Sequence, residues 1–262
     1  MKKLFTLALI SLMTVSLMAQ KSEQKLYLLF EFMQVNDENG SDYWKVEDFW
    51  SGIHKQRIAD KQIIGWDLWS LTPAGTKQGS QFMTVTLFSS LKDMLQPGGF
   101  EDIVASAKKA YPKMTEKEIN EMLDKTVKSR DIANQIYLEQ IDKTKGDFQM
   151  KVGTVATMDI MKQLEDGYEK AESEIFKPWH QKMVDTDKTE GWQLLRVILP
   201  SGGDGYGTHI TVSMYKDMAQ LATFMEAPMG DIDYMTQSAA TAGFKTREWK
   251  EKKIAALEKM VR

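Results

Sequence analysis

The chain has 262 residues, 42% of them apolar and 27% charged, with a formal net charge of −3. Only 17 glycines and 6 prolines are present, and Cys is absent. This excludes a collagen-like or low-complexity chain, a disulfide framework, thiolate catalysis and Cys-bound zinc or iron–sulfur centres. The mild negative charge offers no basic surface, so nucleic acid is not expected as a partner.

Lys2 and Lys3 precede an apolar run over residues 4–18, and Ala19 closes it. A positive start, an apolar stretch and a small residue at its end read as a secretory signal peptide over residues 1–19, cleaved after Ala19. The run is interrupted by Thr6, Ser11, Thr14 and Ser16. It is also shorter than the ~20 apolar residues of a spanning helix. No later segment reads as a membrane span. The expected location is the periplasm or the exterior.

Tyr27–Val35 reads as the first strand, rich in aromatic and β-branched residues and interrupted by Glu31. A helix comes next, because Val46, Phe49, Trp50 and Ile53 recur at helical spacing. Ser41 or Asp42 is expected to cap it. Gly52 weakens its last turns and is expected to mark a kink. Then comes a hairpin, with strands over 65–71 and Phe82–Phe88 joined by a turn at Pro73 and Gly75. Residues 114–128 are highly charged and read as a solvated helix. The pattern of Ile132, Ile136 and Ile141 leaves residues 130–142 open between strand and helix, and residues 247–261 stay open with them.

The same order then recurs. His54, Gly65, Trp66 and Leu68 reappear at identical spacing as His180, Gly191, Trp192 and Leu194. Pro73 and Gly75 match Pro200 and Gly202. Lys128-Ser-Arg130-Asp131 matches Lys245-Thr-Arg247-Glu248. The second half opens with a strand over 152–161, carrying Asp159 where the first carries Glu31. Its helix carries Tyr168, Ala171, Ile175 and Trp179 as an apolar stripe, with Pro178 at the position of Gly52 as a second expected kink. Its hairpin is Gly191–Leu199 with His209–Tyr215. The chain therefore reads as a signal peptide (1–19), a first repeat (25–145) and a second repeat (148–262). Each repeat is βαββα with a closing strand left open, an α+β fold. Two such sheets can cover one another face to face as a barrel.

On the β-α-β-β order, the helix-end His followed by Gly-Trp, and the tandem copy, the chain resembles the dimeric α/β-barrel superfamily of ferredoxin-like domains. It is similar to fused two-repeat members found among secreted proteins of Bacteroidetes-type bacteria. The resemblance implies two ferredoxin-like units forming an intrachain dimeric barrel, and so a monomer that is an internal pseudo-dimer. Relatives of this fold include cofactor-free monooxygenases, haem enzymes, lactone isomerases and stress proteins, and fold does not choose among them. No catalytic motif of these enzymes matches residue by residue.

Several residues stand out as site candidates. His54 and His180 lie at the border of the buried helix face, where each ring packs structurally or serves as a proton acceptor. A helix C-terminus would raise their pKa. Glu31 and Asp159 interrupt matched strands and need a partner or solvent. Trp66 and Trp192 read as core or as a flat ligand wall, joined by Trp69 and Tyr206. The 18 methionines suit adaptable packing or a plastic apolar pocket. Gly202-Gly-Asp-Gly-Tyr-Gly207 is a turn, since no Lys-Ser/Thr comes after it. No metal is expected, since each half offers one His and one carboxylate, and His209 adds a third group in the second half only. No motif demands a cofactor. The resemblance keeps haem open, with His54 or His180 as axial ligand. The reading is a secreted or periplasmic protein that binds a small apolar or aromatic molecule between sheet and helices. The alternatives are a cofactor-independent monooxygenase or isomerase using a helix-end His, or a haem-handling protein.

Overall fold

A computed structural model describes residues 25–35, 40–75, 77, 79–202, 207–228 and 230–262. The leader reading over 1–19 and the expected wall residue Tyr206 lie outside the described residues. The first half runs β1 (Tyr27–Val35), α1 (Gly40–Ala59), β2 (Gly65–Thr72), β3 (Phe82–Phe88), α2 (Leu91–Leu95), α3 (Phe100–Ala110), α4 (Glu116–Ser129) and β4 (Arg130–Lys143). The second runs β5 (Val155–Gln163), α5 (Tyr168–Ala171), a π-turn over Glu172–Phe176, α6 (Lys177–Asp185), β6 (Gly191–Leu199), β7 (His209–Tyr215), α7 (Met218–Glu226), α8 (Tyr234–Lys245) and β8 (Arg247–Val261). The stretches left open between helix and strand are the long strands β4 and β8.

The eight strands form one closed barrel in the order β1-β3-β2-β8-β5-β7-β6-β4. Each half contributes an antiparallel ferredoxin-like sheet, β4-β1-β3-β2 and β8-β5-β7-β6. The inner faces of the two halves close on one core as a barrel, as expected. The halves join edge to edge, through the β2–β8 and β4–β6 ladders. Unpaired edge N–H and C=O groups are satisfied best by another strand, and closure removes every edge. Alternation along each strand does the rest. Leu28, Phe30 and Phe32 of β1 point into the barrel with Trp69, Val85, Met158, Val212 and Leu257. Leu29 of β1 and Trp66 and Leu68 of β2 point outward and are covered by helix residues such as Tyr43.

α1 buries Val46, Phe49 and Ile53, the expected stripe, but it begins at Gly40. Ser41 and Asp42 therefore sit inside its first turn and not at the position before it. Gly52 makes no kink, since α1 is one unbroken helix. Its missing side chain serves a neighbour instead. A Cβ there would lie 2.1 Å from the Tyr111 hydroxyl, which donates to the carbonyl of Phe49 at 3.0 Å. The 114–128 segment is not merely solvated. Thr115 and Glu118 form a reciprocal capping box, and α4 lays Ile119 and Leu123 against α1.

In the second half the helix break is real. The π-turn over Glu172–Phe176 ends at Lys177, just before Pro178. Proline lacks the N–H that would continue an α-helical ladder. The wide turn also rotates the next helical segment, α6, so Trp179 leaves the buried face and is 47% exposed.

Gly52→Ala should destabilise the protein by about 1–3 kcal/mol, the range for forcing atoms into a packed site. In a Tyr111→Ala background the same change should be neutral or stabilising, because Ala is the better helix former. Urea denaturation of the four proteins of this cycle measures both steps. Equal effects of Gly52→Ala in both backgrounds would rule out the steric account.

Candidate functional site

The helix spacing explains the His positions. From Glu47 to His54 is seven residues, nearly two α-helical turns, so both lie on one face. From Glu172 to His180 is eight, and the π-turn between them absorbs the extra residue. Each half thus presents a buried Glu and, two turns on, a His facing the first hairpin strand.

His54 is 7% exposed and stacks on Trp66, with ring centroids 4.9 Å apart and planes 17° apart. Its other face meets Trp50 at 5.5 Å. His180 stacks on Trp192 in the same way, at 5.0 Å and 15°. Burial pushes the His54 pKa well below its ordinary value, and Arg57 and Arg130 push the same way. Burial, with Arg247 adding to it, brings His180 down to about 3. The helix-end expectation of a raised pKa is therefore overturned, because removing a cation from water costs more than the end of a helix dipole returns. Both imidazoles are neutral at pH 7.

Behind each His lies an anchored carboxylate. Glu47 is buried with Arg130 Nε 2.9 Å from its Oε1, and Arg247 pairs with Glu172. Burial raises both carboxyl pKa values against the pull of the arginines. Tyr43 and Tyr168 stand one turn before these acids, and burial together with the neighbouring carboxylate raises their hydroxyl pKa values as well.

In the first half His54 and Arg130 border a cleft of about 460 Å³ between α1, α4 and the outer face of the sheet. Glu31, His54 and Trp66 all line it. Glu31 accepts from Gln135 at 2.8 Å and from Thr84 at 3.2 Å. Asp159 holds the matched place on β5, facing Thr211 and Lys252, with Lys252 Nζ 3.3 Å away. Burial raises the Asp159 pKa despite that lysine. Trp69 does not join Trp66, since three positions along a strand reverse the face, and it lines the barrel interior. Much of the cleft wall is apolar, through Leu29, Phe88, Ile103, Val127 and Ile132. Besides Glu31 it is also lined by Arg57, Thr84, Thr86, Arg130 and Gln135, with aromatic walls from Trp50, Trp66 and Tyr137.

Arg57, which was not singled out in the sequence, is the most informative of these. It is 6% exposed, its hydrogen-bond partners are neutral, and Glu31 and Asp102 act on it only through their charge. It donates to Pro97 O at 3.0 Å and Gln62 Oε1 at 3.3 Å, and its Nη1 lies 3.5 Å from His54 Nδ1. Among the described residues no carboxylate lies within ion-pairing distance of it. Nothing in single-sequence reading separates such an arginine from a surface one. Arg130 and Arg247 did carry a signal, as a matched pair near the ends of the halves.

His209 is held apart from this cleft. Its Nε2 is 2.8 Å from Glu169, which Arg196 also grips at 2.6 Å. Among the described residues no group of three His, Asp or Glu side chains is placed to hold a metal ion. An iron-bound His normally donates its second ring N–H to an acceptor. Arg57 only donates, and its Nη1 at 3.5 Å from His54 Nδ1 disfavours that arrangement at His54. His180 has no ring hydrogen bond among the described residues.

No family model matches the chain, and no curated protein matches it. Solved structures do. One is a protein assigned as a monooxygenase from Fusobacterium nucleatum, at 11% identity and a TM-score of 0.54, covering 91% of this chain and 94% of that one. An anthrone oxidase-like protein matches at 11% identity and a TM-score of 0.51, with 91% and 93% covered. A protein assigned as a chlorite dismutase matches at 10% identity and a TM-score of 0.50, with 90% and 95% covered. The chain has the dimeric α/β-barrel fold. At such identities the likeness concerns fold alone. No described helix is long and apolar enough to cross a membrane.

The neutral histidines carry a pH signature. A base whose folded pKa is depressed takes up its proton more readily when unfolded. The stabilising difference is therefore present above the unfolded value near 6.5 and is lost as pH falls below it. Between pH 6.5 and 5 the wild type should lose up to ~2 kcal/mol per His relative to a His54→Phe/His180→Phe variant, at ~1.4 kcal/mol per pH unit. Denaturation at several pH values reads this out, and parallel curves for the two proteins would contradict buried neutral rings.

Proposed function

We propose that the first-half cleft binds a small aromatic molecule bearing an anionic oxygen. The observation that carries this is Arg57, a buried guanidinium whose hydrogen-bond partners are all neutral. A buried guanidinium with no carboxylate in contact is costly; Glu31 and Asp102 attract it only from a distance, and an anionic ligand group supplies the direct contact. Trp50, Trp66 and Tyr137 offer flat walls for a ring, and the volume falls within the usual range for small-molecule sites, about 300–1,000 Å³. His54 then serves as a neutral hydrogen-bond group beside the anion.

A second reading is cofactor-independent oxygenation or isomerisation, with His54 as base. Likeness to a protein assigned as a monooxygenase and to an anthrone oxidase-like protein supports it. Against it stands the depressed pKa of His54, since a general base works best with a pKa near the working pH. Binding is therefore the preferred reading. We place this activity in the periplasm or outside the cell, on the strength of the residues 1–19 pattern. The intact mass of the protein recovered from a bacterial host's periplasm should lack those residues, and retention of Met1 there would contradict the assignment.

Calorimetric titration with 2-naphthoate tests the ligand class, with naphthalene as the uncharged comparison. Arg57→Met should weaken naphthoate binding at least ~10-fold, as expected for a lost hydrogen bond to a charged group, and leave naphthalene unaffected. Unchanged naphthoate affinity in that variant would remove the reading.

A further inference from the structure

The barrel interior holds a separate cavity of about 310 Å³, on the opposite face of the sheet from the cleft. An eight-stranded barrel is just wide enough for side chains to fill, and protein interiors pack as densely as organic crystals. Open space of this size needs a cause, and the strand pairing supplies one. Ala156 of β5 stands opposite Ala255 of β8, both buried and both on the cavity wall. The corresponding pair of the first half, Leu28 of β1 opposite Leu138 of β4, is leucine on both strands. Each pair stands three rungs from the acid of its first strand, Glu31 or Asp159, so the two pairs are equivalent. Leucine pairs with leucine on one side and alanine with alanine on the other, and Leu28, Ala156 and Ala255 all line the open volume.

The wall also carries a polar group without a partner. Trp69 lines the cavity with its ring and is 3% exposed; its indole N–H is covered by neighbouring atoms and has no acceptor among the described residues, so a turn of the ring is needed to present it to the cavity. Buried donors are nearly always satisfied in natural proteins. Around it the wall is apolar and rich in methionine, with Met83, Met158 and Met214. Thioether sulfur packs favourably against aromatic rings. The charged groups cluster at one barrel end, where Arg262 Nη1 pairs with Asp67 at 2.7 Å.

We propose that the barrel interior is a second binding site, for a neutral aromatic molecule of one or two rings carrying one hydrogen-bond acceptor. The ring occupies the space left by Ala156 and Ala255, and the acceptor receives the Trp69 Nε1 hydrogen. The volume is near the lower end of small-molecule sites, which sets the ring count. This site does not depend on the cleft around Arg57.

The test uses 1-indanone, which has a carbonyl acceptor, and indane, which has none. Indole N–H signals are followed by nitrogen-15 NMR, with the Trp69 signal identified by its loss in Trp69→Phe. Indanone should shift the Trp69 signal and leave those of Trp50 and Trp66 in place. Ala156→Leu/Ala255→Leu, which copies the first half, should weaken binding of both probes at least tenfold. Trp69→Phe should weaken indanone about fivefold more than it weakens indane, the difference being the effect of one neutral hydrogen bond. If the leucine variant does not fold, the indanone-to-indane ratio in Trp69→Phe decides alone. Movement of the Trp50 and Trp66 signals without that of Trp69, wild-type affinity in the leucine variant, or no binding of either probe would each overturn the proposal.

Discussion

An open antiparallel sheet leaves a row of unpaired N–H and C=O groups along each edge. β2 and β4 are the edges of the first half, and β6 and β8 those of the second. The β2–β8 and β4–β6 ladders join all four, and the rest of the molecule depends on that closure. Closure divides every strand into an inner and an outer face. It turns the inner faces of both halves into one core and leaves the outer faces to be covered by helices. Neither half completes its core alone, since Leu257 of β8 and Trp69 of β2 meet across the seam.

The outer faces carry the ionisable chemistry. Each half buries a Glu on its long helix, pairs it with an Arg from the start of its last strand, and stacks a His on the first Trp of its hairpin. Burial of these groups is tolerated because each charge has a partner and each imidazole stays neutral. The π-turn preserves this arrangement in the second half. One extra residue in a regular α-helix would turn His180 by about 100°, away from Trp192. Widening a single turn cancels that rotation at the position where Pro178 already prevents regular bonding. Arg57 differs in having no carboxylate in contact, only the more distant Glu31 and Asp102, which is why the first-half cleft stands out.

The inner face obeys a different rule, because it is built mainly of apolar side chains, with Lys253 opposite Met158 as a buried charge among them. Substituting alanine for leucine on one side keeps the ladder intact, since backbone hydrogen bonds do not depend on side-chain size. The result is space without loss of register. The two sides of one sheet thus offer different environments, a charged aromatic cleft outside and an apolar chamber inside. The paired tryptophans Trp66 and Trp69 of β2 divide between them by strand parity alone.

Much of this was legible in the residues. The strands Tyr27–Val35, Phe82–Phe88, Gly191–Leu199 and His209–Tyr215 are marked by β-branched and aromatic runs bounded by turn residues. The matched His, Gly and Trp spacing forecast two units of one topology, and the fixed return from helix end to hairpin brought each His against its Trp. Those are local constraints of period and chain length, which a sequence states directly. The edge-to-edge joining, the strand identity of β4 and β8, the role of Gly52 as a seat for Tyr111, and the isolation of Arg57 were decided by tertiary structure. Each depends on which distant residue arrives at a given place, as Tyr111 does at Gly52 and as Ala255 does opposite Ala156. Burial, and with it pKa, is likewise set by those arrivals: a helix-end position alone suggested charged histidines, whereas the sheet beneath and the tryptophans beside them keep both rings neutral.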